Sequence, residues 1–238
     1  MVIDQYLMPL DRQFDSGFRS LADSFLSAAE ELDKEDKISG YGISSSPLPI
    51  FYLYRHALEL FLKSALVTVH RRFTNTYPEF DTDNFPEISS KSIKNIHSIE
   101  ILMNGLKSLL EDNQDVIKKI ARTDWFDIPT DFLNALKQIH NFDVRSDVFR
   151  YPVTAYENQD NKKSSYKNID LDDLSSRLSD ETEPAVIFAY KNERGELIEA
   201  FEHNTVGLQE LHVALRSAVQ AANGIAIGLH AELVGRQD

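Results

Sequence analysis

The segment from residue 49 to residue 73 constrains the fold of this chain more than any other. It reads PIFYLYRHALELFLKSALVTVHRRF and is apolar over most of the circumference of a helix. A helix that is apolar nearly all round has to be surrounded by other parts of the protein. Proline suits the first turn of a helix, so we expect this one to begin near Pro49. The segment therefore predicts the central helix of the fold.

Polar residues interrupt this helix along one narrow line, termed the polar stripe below. Successive residues of a helix are about 100° apart, which places the stripe within roughly 100° of arc. Three interpretations of the stripe are open: a narrow solvated face, a buried network, or the wall of a functional cleft. In a buried network each charge must be paired, because unpaired buried charge is costly. Its members are Tyr52, Arg55, His56, Glu59, Lys63 and His70.

Apolar residues at steps of three and four predict further helices on both sides of the central one. Thr130 is the expected N-cap of one of them. Gly224 and Gly228, four residues apart, predict a close approach by another backbone to the last helix. The predicted helices cover residues 10–33, 91–112, 114–122, 131–141 and 205–234.

The segments between the helices are of two kinds. Residues 34–48, 74–90 and 156–166 are polar or rich in glycine and serine, which predicts loops. Residues 184–203 contain AVIFAY and LIEAF on either side of KNERGE, which predicts a β-hairpin around a glycine-containing turn. We therefore expect a mainly α protein with one small β insertion.

Composition excludes several classes of function. The formal net charge of −13 disfavours non-specific binding to duplex DNA, since proteins that bind it present basic surfaces. The chain contains no cysteine, which excludes disulfides and thiolate chemistry and fits a reducing cytoplasm. A small basic site remains compatible with an acidic chain, because a cleft can differ in sign from the whole.

Neither a signal peptide nor a membrane span is expected. The N-terminal MVIDQYLMPLDRQF lacks a basic region followed by an apolar one. Arg216, Gln220 and Asn223 interrupt the most apolar late stretch, which therefore falls short of the roughly 18 to 20 apolar residues of a span. We expect a cytoplasmic protein without a membrane partner.

Three segments of the chain resemble HEPN-like bacterial proteins. YLYRHALELFLKSAL is similar to the aromatic–Arg–His–Ala–Leu–Glu–Leu–x–Leu–Lys helix of that superfamily. IHSIEILMNGLKSLL is similar to its second bundle helix, and RSDVFRYPV resembles its Ser–x–x–Phe–Arg–Tyr–Pro segment. The resemblance covers about residues 50–152.

The resemblance implies an up-and-down helical bundle, often dimeric, with a cleft between protomers. The expected single domain spans residues 1–238, with a bundle core over 10–152, a loop and hairpin insertion over 153–203, and a C-terminal packing helix over 205–234. Active members of the superfamily are metal-independent endoribonucleases of toxin–antitoxin and phage-defence systems. They use an Arg–x(4–6)–His motif.

That motif is not found in this chain. In such a pair the arginine stabilises a pentacovalent phosphorane and the histidine moves protons. Arg145 is followed five positions later by Arg150, with no histidine in range. His140 precedes Arg145 with four residues between them, which is the reverse order. We therefore expect a HEPN-like protein without the usual ribonuclease pair.

The preferred hypothesis is a non-catalytic binding or regulatory module, in the bacterial defence or toxin–antitoxin setting that the resemblance implies. Its ligand would be RNA, a nucleotide or a protein partner. One alternative is a divergent metal-independent endoribonuclease in which Arg145 or Arg150 binds phosphate and His56, His97 or His140 transfers protons. Another is a structural assembly subunit that uses the hairpin. The expected binding residues are Arg55, His56, Glu59, Lys63, Arg145, Arg150 and Tyr151.

No metal site or cofactor is expected. The seven histidines include no pair at i and i+4 and no HExxH. Neither GxGxxG nor GxxxxGK[ST] occurs, so a phosphate-binding loop is not predicted. A purely structural interpretation of Arg150 has it pair with an acidic group such as Glu59, while Tyr151 before Pro152 is confined to an extended conformation.

Overall fold

The computed structural model describes residues 17–34, 47–74, 85–151, 153–155, 157–174, 187–204 and 206–235. Within these residues the protein is mainly helical with small antiparallel sheets, as the sequence predicts. The helices are α1 (Gly17–Asp33), α2 (Leu48–Phe73), α3 (Ile99–Asp112), α4 (Gln114–Ile120), α5 (Thr130–Phe142), α6 (Glu157–Lys163) and α7 (Val206–Leu233). The strands are β1 (Glu87–Ile88), β2 (Lys91–Ser92), β3 (Tyr166–Ile169), β4 (Ile187–Lys191) and β5 (Leu197–His203).

Helix α2 is the centre of the fold, as its apolar circumference predicts. It packs against α1, α3 and α7. Pro49 lies in its first turn, and His70, Arg71 and Arg72 lie in its last, where positive charge favours the negative end of the helix dipole. The apolar core includes residues from all of these helices and from α4 and α5.

The prediction of a helix from residue 91 is wrong for its first eight residues, since α3 begins at Ile99. Strand β2 and a 3₁₀ turn over Ile93–Asn95 occupy this region instead. The Ser98 hydroxyl accepts a hydrogen bond from the backbone N–H of Ile101 at 3.3 Å and caps α3. Ile93 and Ile96 are buried, so their apolar spacing reflects a packed turn.

Two other local predictions are corrected. Pro129 is at the cap position of α5, so that Thr130 is the first helical residue and caps nothing with its side chain. Residues 157–163 form α6 instead of a loop. The Asp160 carboxylate pairs with Lys163 at 2.5 Å and accepts the backbone N–H of Thr154 at 2.6 Å. Composition alone does not reveal these ties.

The predicted hairpin is present as β4 and β5, and its turn contains Gly195 at a φ of 79°. The sheet has a third strand that the sequence did not predict. Strand β3 pairs antiparallel with the other side of β5, giving the order β3–β5–β4. Predicted helix residues 10–16, loop residues 35–46 and 75–84, and hairpin residues 184–186 lie outside the described residues.

Another backbone does not pack against Gly224 or Gly228 of α7 in the described residues. A Cβ at Gly228 would lie 2.4 Å from the ring of Trp125, so the residue accommodates an indole side chain. Nothing lies within 4 Å of the corresponding position at Gly224. The Trp125 ring N–H also donates to Glu232 at 3.1 Å, which fixes the indole against α7.

None of the helices in the described ranges combines the length and the apolar character that crossing a membrane requires.

Candidate functional site

Three charged residues of the polar stripe are buried. The exposed fractions of Arg55, Glu59 and Lys63 are 2%, 1% and 3%. Arg55 Nη1 lies 2.9 Å from Glu59 Oε2, and Lys63 Nζ lies 2.8 Å from Glu59 Oε1. The solvated-face interpretation is therefore wrong for these residues, and the buried-network interpretation is confirmed.

Asp143 joins this group from the end of α5. Its Oδ2 lies 3.3 Å from Arg55 Nε, in an ion-pair contact rather than an aligned hydrogen bond. Its Oδ1 accepts the backbone N–H groups of Asp147 at 2.9 Å and Val148 at 3.1 Å. Asp143 therefore anchors the turn that leads into the Phe–Arg–Tyr–Pro segment. The four residues Arg55, Glu59, Lys63 and Asp143 are termed the ion network below.

The ion network also fixes the segment that precedes α3. Arg55 Nη2 donates to the backbone carbonyl of His97, and Lys63 Nζ donates to that of Lys94 at 3.4 Å. His97 Nδ1 lies 3.0 Å from Glu59 Oε1, although 48% of the His97 side chain is exposed. One carboxylate therefore contacts an arginine, a lysine and a histidine.

These contacts keep Glu59 ionised. Burial by itself raises the pKa of a carboxyl group, because it disfavours the charged form. The charges of Arg55 and Lys63, with hydrogen bonds from Lys63 and His97, outweigh that effect and lower the pKa of Glu59 below its usual range. An ionised Glu59 favours the proton of His97 on Nδ1, which leaves Nε2 able to accept a proton.

His56 lies outside the ion network, in an aromatic setting. Its ring stacks on Tyr52 with centroids 5.7 Å apart and meets Phe25 edge-on at 4.5 Å. Burial, aided by the charges of Arg150 and Arg55, lowers the pKa of His56 below its usual range despite the opposing charge of Glu59. The ring is therefore neutral at pH 7.

The Arg150 guanidinium lies over the ring of Tyr52, on which His56 also stacks. Arg150 Cζ is 5.6 Å from the centroid of that ring. Arg150 Nη2 also approaches Ser146 Oγ at 3.5 Å. The predicted pairing of Arg150 with Glu59 is wrong, because Arg55 and Lys63 already occupy the Glu59 oxygens. Tyr151 beside it is 57% exposed.

The remaining candidates are on the surface. His140 Nε2 lies 3.1 Å from Glu100 Oε2, and their side chains are 17% and 59% exposed. Arg145 is exposed in the turn after Asp143. The three candidate histidines thus have different partners: aromatic rings for His56, a buried carboxylate for His97 and an exposed one for His140. Across the described ranges, no group of histidine and carboxylate residues could hold a metal ion.

Sequence reasoning missed two polar centres. Asp143 was not among the candidate residues, because its contact with Arg55 depends on the packing of the end of α5 beside α2. A second centre joins α1, α2 and α7, where Asp33 Oδ2 lies 2.8 Å from the Tyr54 hydroxyl and 2.9 Å from His212 Nε2. No short-range motif indicates contacts between such distant segments.

Comparison with protein-family models, with curated proteins and with solved structures finds no match to this chain. The HEPN-like assignment therefore remains a prediction from the three segments quoted above.

Proposed function

We propose that this chain is a HEPN-like helical protein that acts as a non-catalytic binding or regulatory module, with single-stranded RNA as its ligand. The bacterial defence or toxin–antitoxin setting is part of the proposal and comes from the resemblance. One observation carries the non-catalytic half. Arg55 is held inside the protein: Nη1 donates to Glu59, Nη2 donates to the His97 carbonyl, and Nε is in ion-pair contact with Asp143. Only 2% of this arginine is exposed, so it is not accessible to an RNA phosphate and cannot stabilise a phosphorane.

The surface beside the ion network supports the RNA-binding half. It comprises Tyr52, His56, Arg150 and Tyr151 and is termed the aromatic surface below. An arginine over one ring and a largely exposed second ring supply cation and stacking contacts. Base stacking on aromatic side chains contributes about 1–3 kcal/mol per base in proteins that bind single strands. A local contact of this kind is compatible with an acidic chain.

Binding can be measured by fluorescence anisotropy of a labelled single-stranded RNA in EDTA. We expect Arg150→Ala and Tyr151→Ala to weaken binding by about tenfold each, as loss of a stacked base would. Arg194→Ala and Tyr190→Ala are matched controls, because both residues are exposed in or beside the hairpin. Equal losses in all four variants, or no binding by the unmodified protein, would contradict the proposal.

A second candidate is the divergent metal-independent endoribonuclease, which the His97–Glu59 contact favours. A buried ionised carboxylate 3.0 Å from Nδ1 orients the ring, and the exposed part of the ring is available as a general base. Incubation with labelled total RNA in EDTA separates the two functions. Cleavage that His97→Ala abolishes and His203→Ala leaves intact would establish the enzyme. Intact RNA at high protein concentration would exclude it.

A third candidate, the assembly subunit, is favoured by the edge of the sheet. Among the described strands β4 pairs only with β5, and its Tyr190 is 61% exposed. Another strand can add to such an edge. The mass of the protein in solution, measured with and without residues 184–203, tests this function. Because the deletion also removes the partner of β3, Tyr190→Lys is the milder variant. An oligomer unchanged by both would argue against it.

A further inference from the structure

A groove separate from the aromatic surface lies where α5, the α6–β3 connection and the start of α7 meet. Its volume is about 560 Å³, which is within the range of small-molecule sites. Most of its described lining residues carry polar side chains, although carbon atoms make up the larger part of the lining surface, and Phe142 and Leu208 are the apolar side chains. The other lining residues are Asn134, Lys137, Gln138, Asn141, Lys162, Ser164, Lys167, Asn204, Gly207 and Glu210.

The charge of the groove is opposite to that of the chain. Three lysines face one glutamate in its lining, whereas the whole chain has a net charge of −13. The lysines come from three elements: Lys137 from α5, Lys162 from α6 and Lys167 from β3. Like charges concentrated in a concave site repel one another and focus a positive potential. An anion bound among them would relieve that repulsion.

The ammonium groups lack carboxylate partners. Within the described parts of the chain, Lys137 and Lys162 make neither an ion pair nor a hydrogen bond through their side chains. Lys167 donates to the backbone carbonyl of Asn161, and burial lowers its pKa below the usual range. Lys137 and Lys162 are exposed and Lys167 is half-buried, and all three line the same groove.

Neutral donors surround the lysines. The carboxamides of Asn134, Gln138 and Asn141 line the α5 side of the groove. The first turn of the long helix α7 lines the other side, where backbone N–H groups have no partner within the helix. Nothing lies within 4 Å of the Cβ position of Gly207 in that turn, so the space in front of it is open.

We propose that this groove binds a small phosphorylated anion with at least two negative charges, held mainly by Lys137, Lys162 and Lys167. A phosphate group offers oxygens in several directions, which suits separate ammonium and carboxamide donors on opposite walls. A planar carboxylate is better matched by the rigid fork of arginine, and the described residues of the lining include no arginine. The site is independent of the proposed RNA-binding function, which uses the aromatic surface.

Isothermal titration calorimetry with inorganic pyrophosphate and with tripolyphosphate tests the site on the full chain. We expect both anions to bind and their affinity to fall as the salt concentration increases. The affinity should also fall by tenfold or more in Lys137→Gln and in Lys167→Gln. Lys119→Gln is the matched control, because this exposed lysine of α4 does not line the groove. Gly207→Leu, which places a side chain in the open space, is also expected to abolish binding. Circular dichroism verifies that each variant is folded.

Three results would overturn the proposal. The first is that neither pyrophosphate nor tripolyphosphate binds at millimolar concentration. The second is that the groove variants and Lys119→Gln bind these anions with equal affinity. The third is that a six-nucleotide RNA binds through these lysines while neither inorganic anion does. Arg150→Ala separates this site from the proposed function, because it should weaken RNA binding and leave the heat of pyrophosphate binding unchanged.

Discussion

Basic side chains occupy two contrasting settings in this protein. In the ion network, Arg55 and Lys63 are buried at 2% and 3% exposure and share the Glu59 carboxylate. In the groove, Lys137 and Lys162 line a cavity and contact no carboxylate of the described chain. Burial and pairing give the first group a role in the fold, whereas the concave and unpaired arrangement of the second group is the basis of the proposed anion site.

The two settings also differ in how they depend on the rest of the molecule. The ion network joins α2 to the segment before α3 and to the turn after α5, so a change at one residue leaves its partners unpaired in the core. Among the described residues, the groove lysines form no ion pair. Substitutions should therefore affect stability in the first region and ligand binding in the second.

The largest effect is expected from Glu59→Gln. The variant leaves Arg55 and Lys63 buried without their shared carboxylate, and breaking a buried pair in this way costs about 3–5 kcal/mol. Urea denaturation followed by circular dichroism measures the loss. Glu111→Gln, at an exposed residue of α3, should change the free energy of unfolding by less than about 0.5 kcal/mol. A similarly small change at Glu59 would show that the network does not stabilise the fold.

The next largest loss of stability is expected from Asp143→Ala. It removes the contact with Arg55 and two hydrogen bonds to backbone N–H groups, and bonds to charged groups are each worth about 1.5–3 kcal/mol. We expect a loss of about 3 kcal/mol, the lower limit for the two bonds together, and faster hydrogen exchange at the amides of Asp147 and Val148. Unchanged exchange at these two amides would contradict the anchoring role.

The sequence predicts the parts of this contrast that depend on local spacing. Arg55, Glu59 and Lys63 are four residues apart, so their pairing on one face of α2 follows from helical geometry. The position of α2 follows from its apolar circumference. The sequence did not predict where α3 begins, because buried isoleucines in a tight turn have a spacing similar to that of a helical face.

Contacts between distant segments were beyond prediction. Asp143 meets Arg55 only because α5 is near α2 in the fold, and the groove lysines come together from α5, α6 and β3. None of these three lysines belongs to a sequence motif. The charge of the whole chain even indicates the opposite potential, since an overall sum hides a local cluster.

Acid should reveal a smaller effect of the ion network. The pKa of Glu59 is lower in the folded protein than its ordinary value of 4.5, so the unfolded chain binds the proton more readily. Its contribution to stability is complete above about pH 4.5 and is lost as the pH falls through the lower folded pKa. The difference between the unmodified protein and Glu59→Gln should therefore narrow below pH 4.5. A constant difference down to pH 3 would contradict this assignment.

The smallest effect on stability is expected in the groove. Lys167→Met removes an ammonium group whose pKa is lowered by burial, so the charged form gains nothing from folding. We expect the free energy of unfolding at pH 7 to stay within about 0.5 kcal/mol or to rise, and the same range for Lys137→Gln. Added pyrophosphate should raise the melting temperature of the unmodified protein but not that of Lys167→Met or Lys137→Gln, because a ligand that binds only the folded state stabilises it. A large loss of stability in the absence of ligand would place these lysines with the ion network as part of the fold, and the contrast between the two regions would disappear.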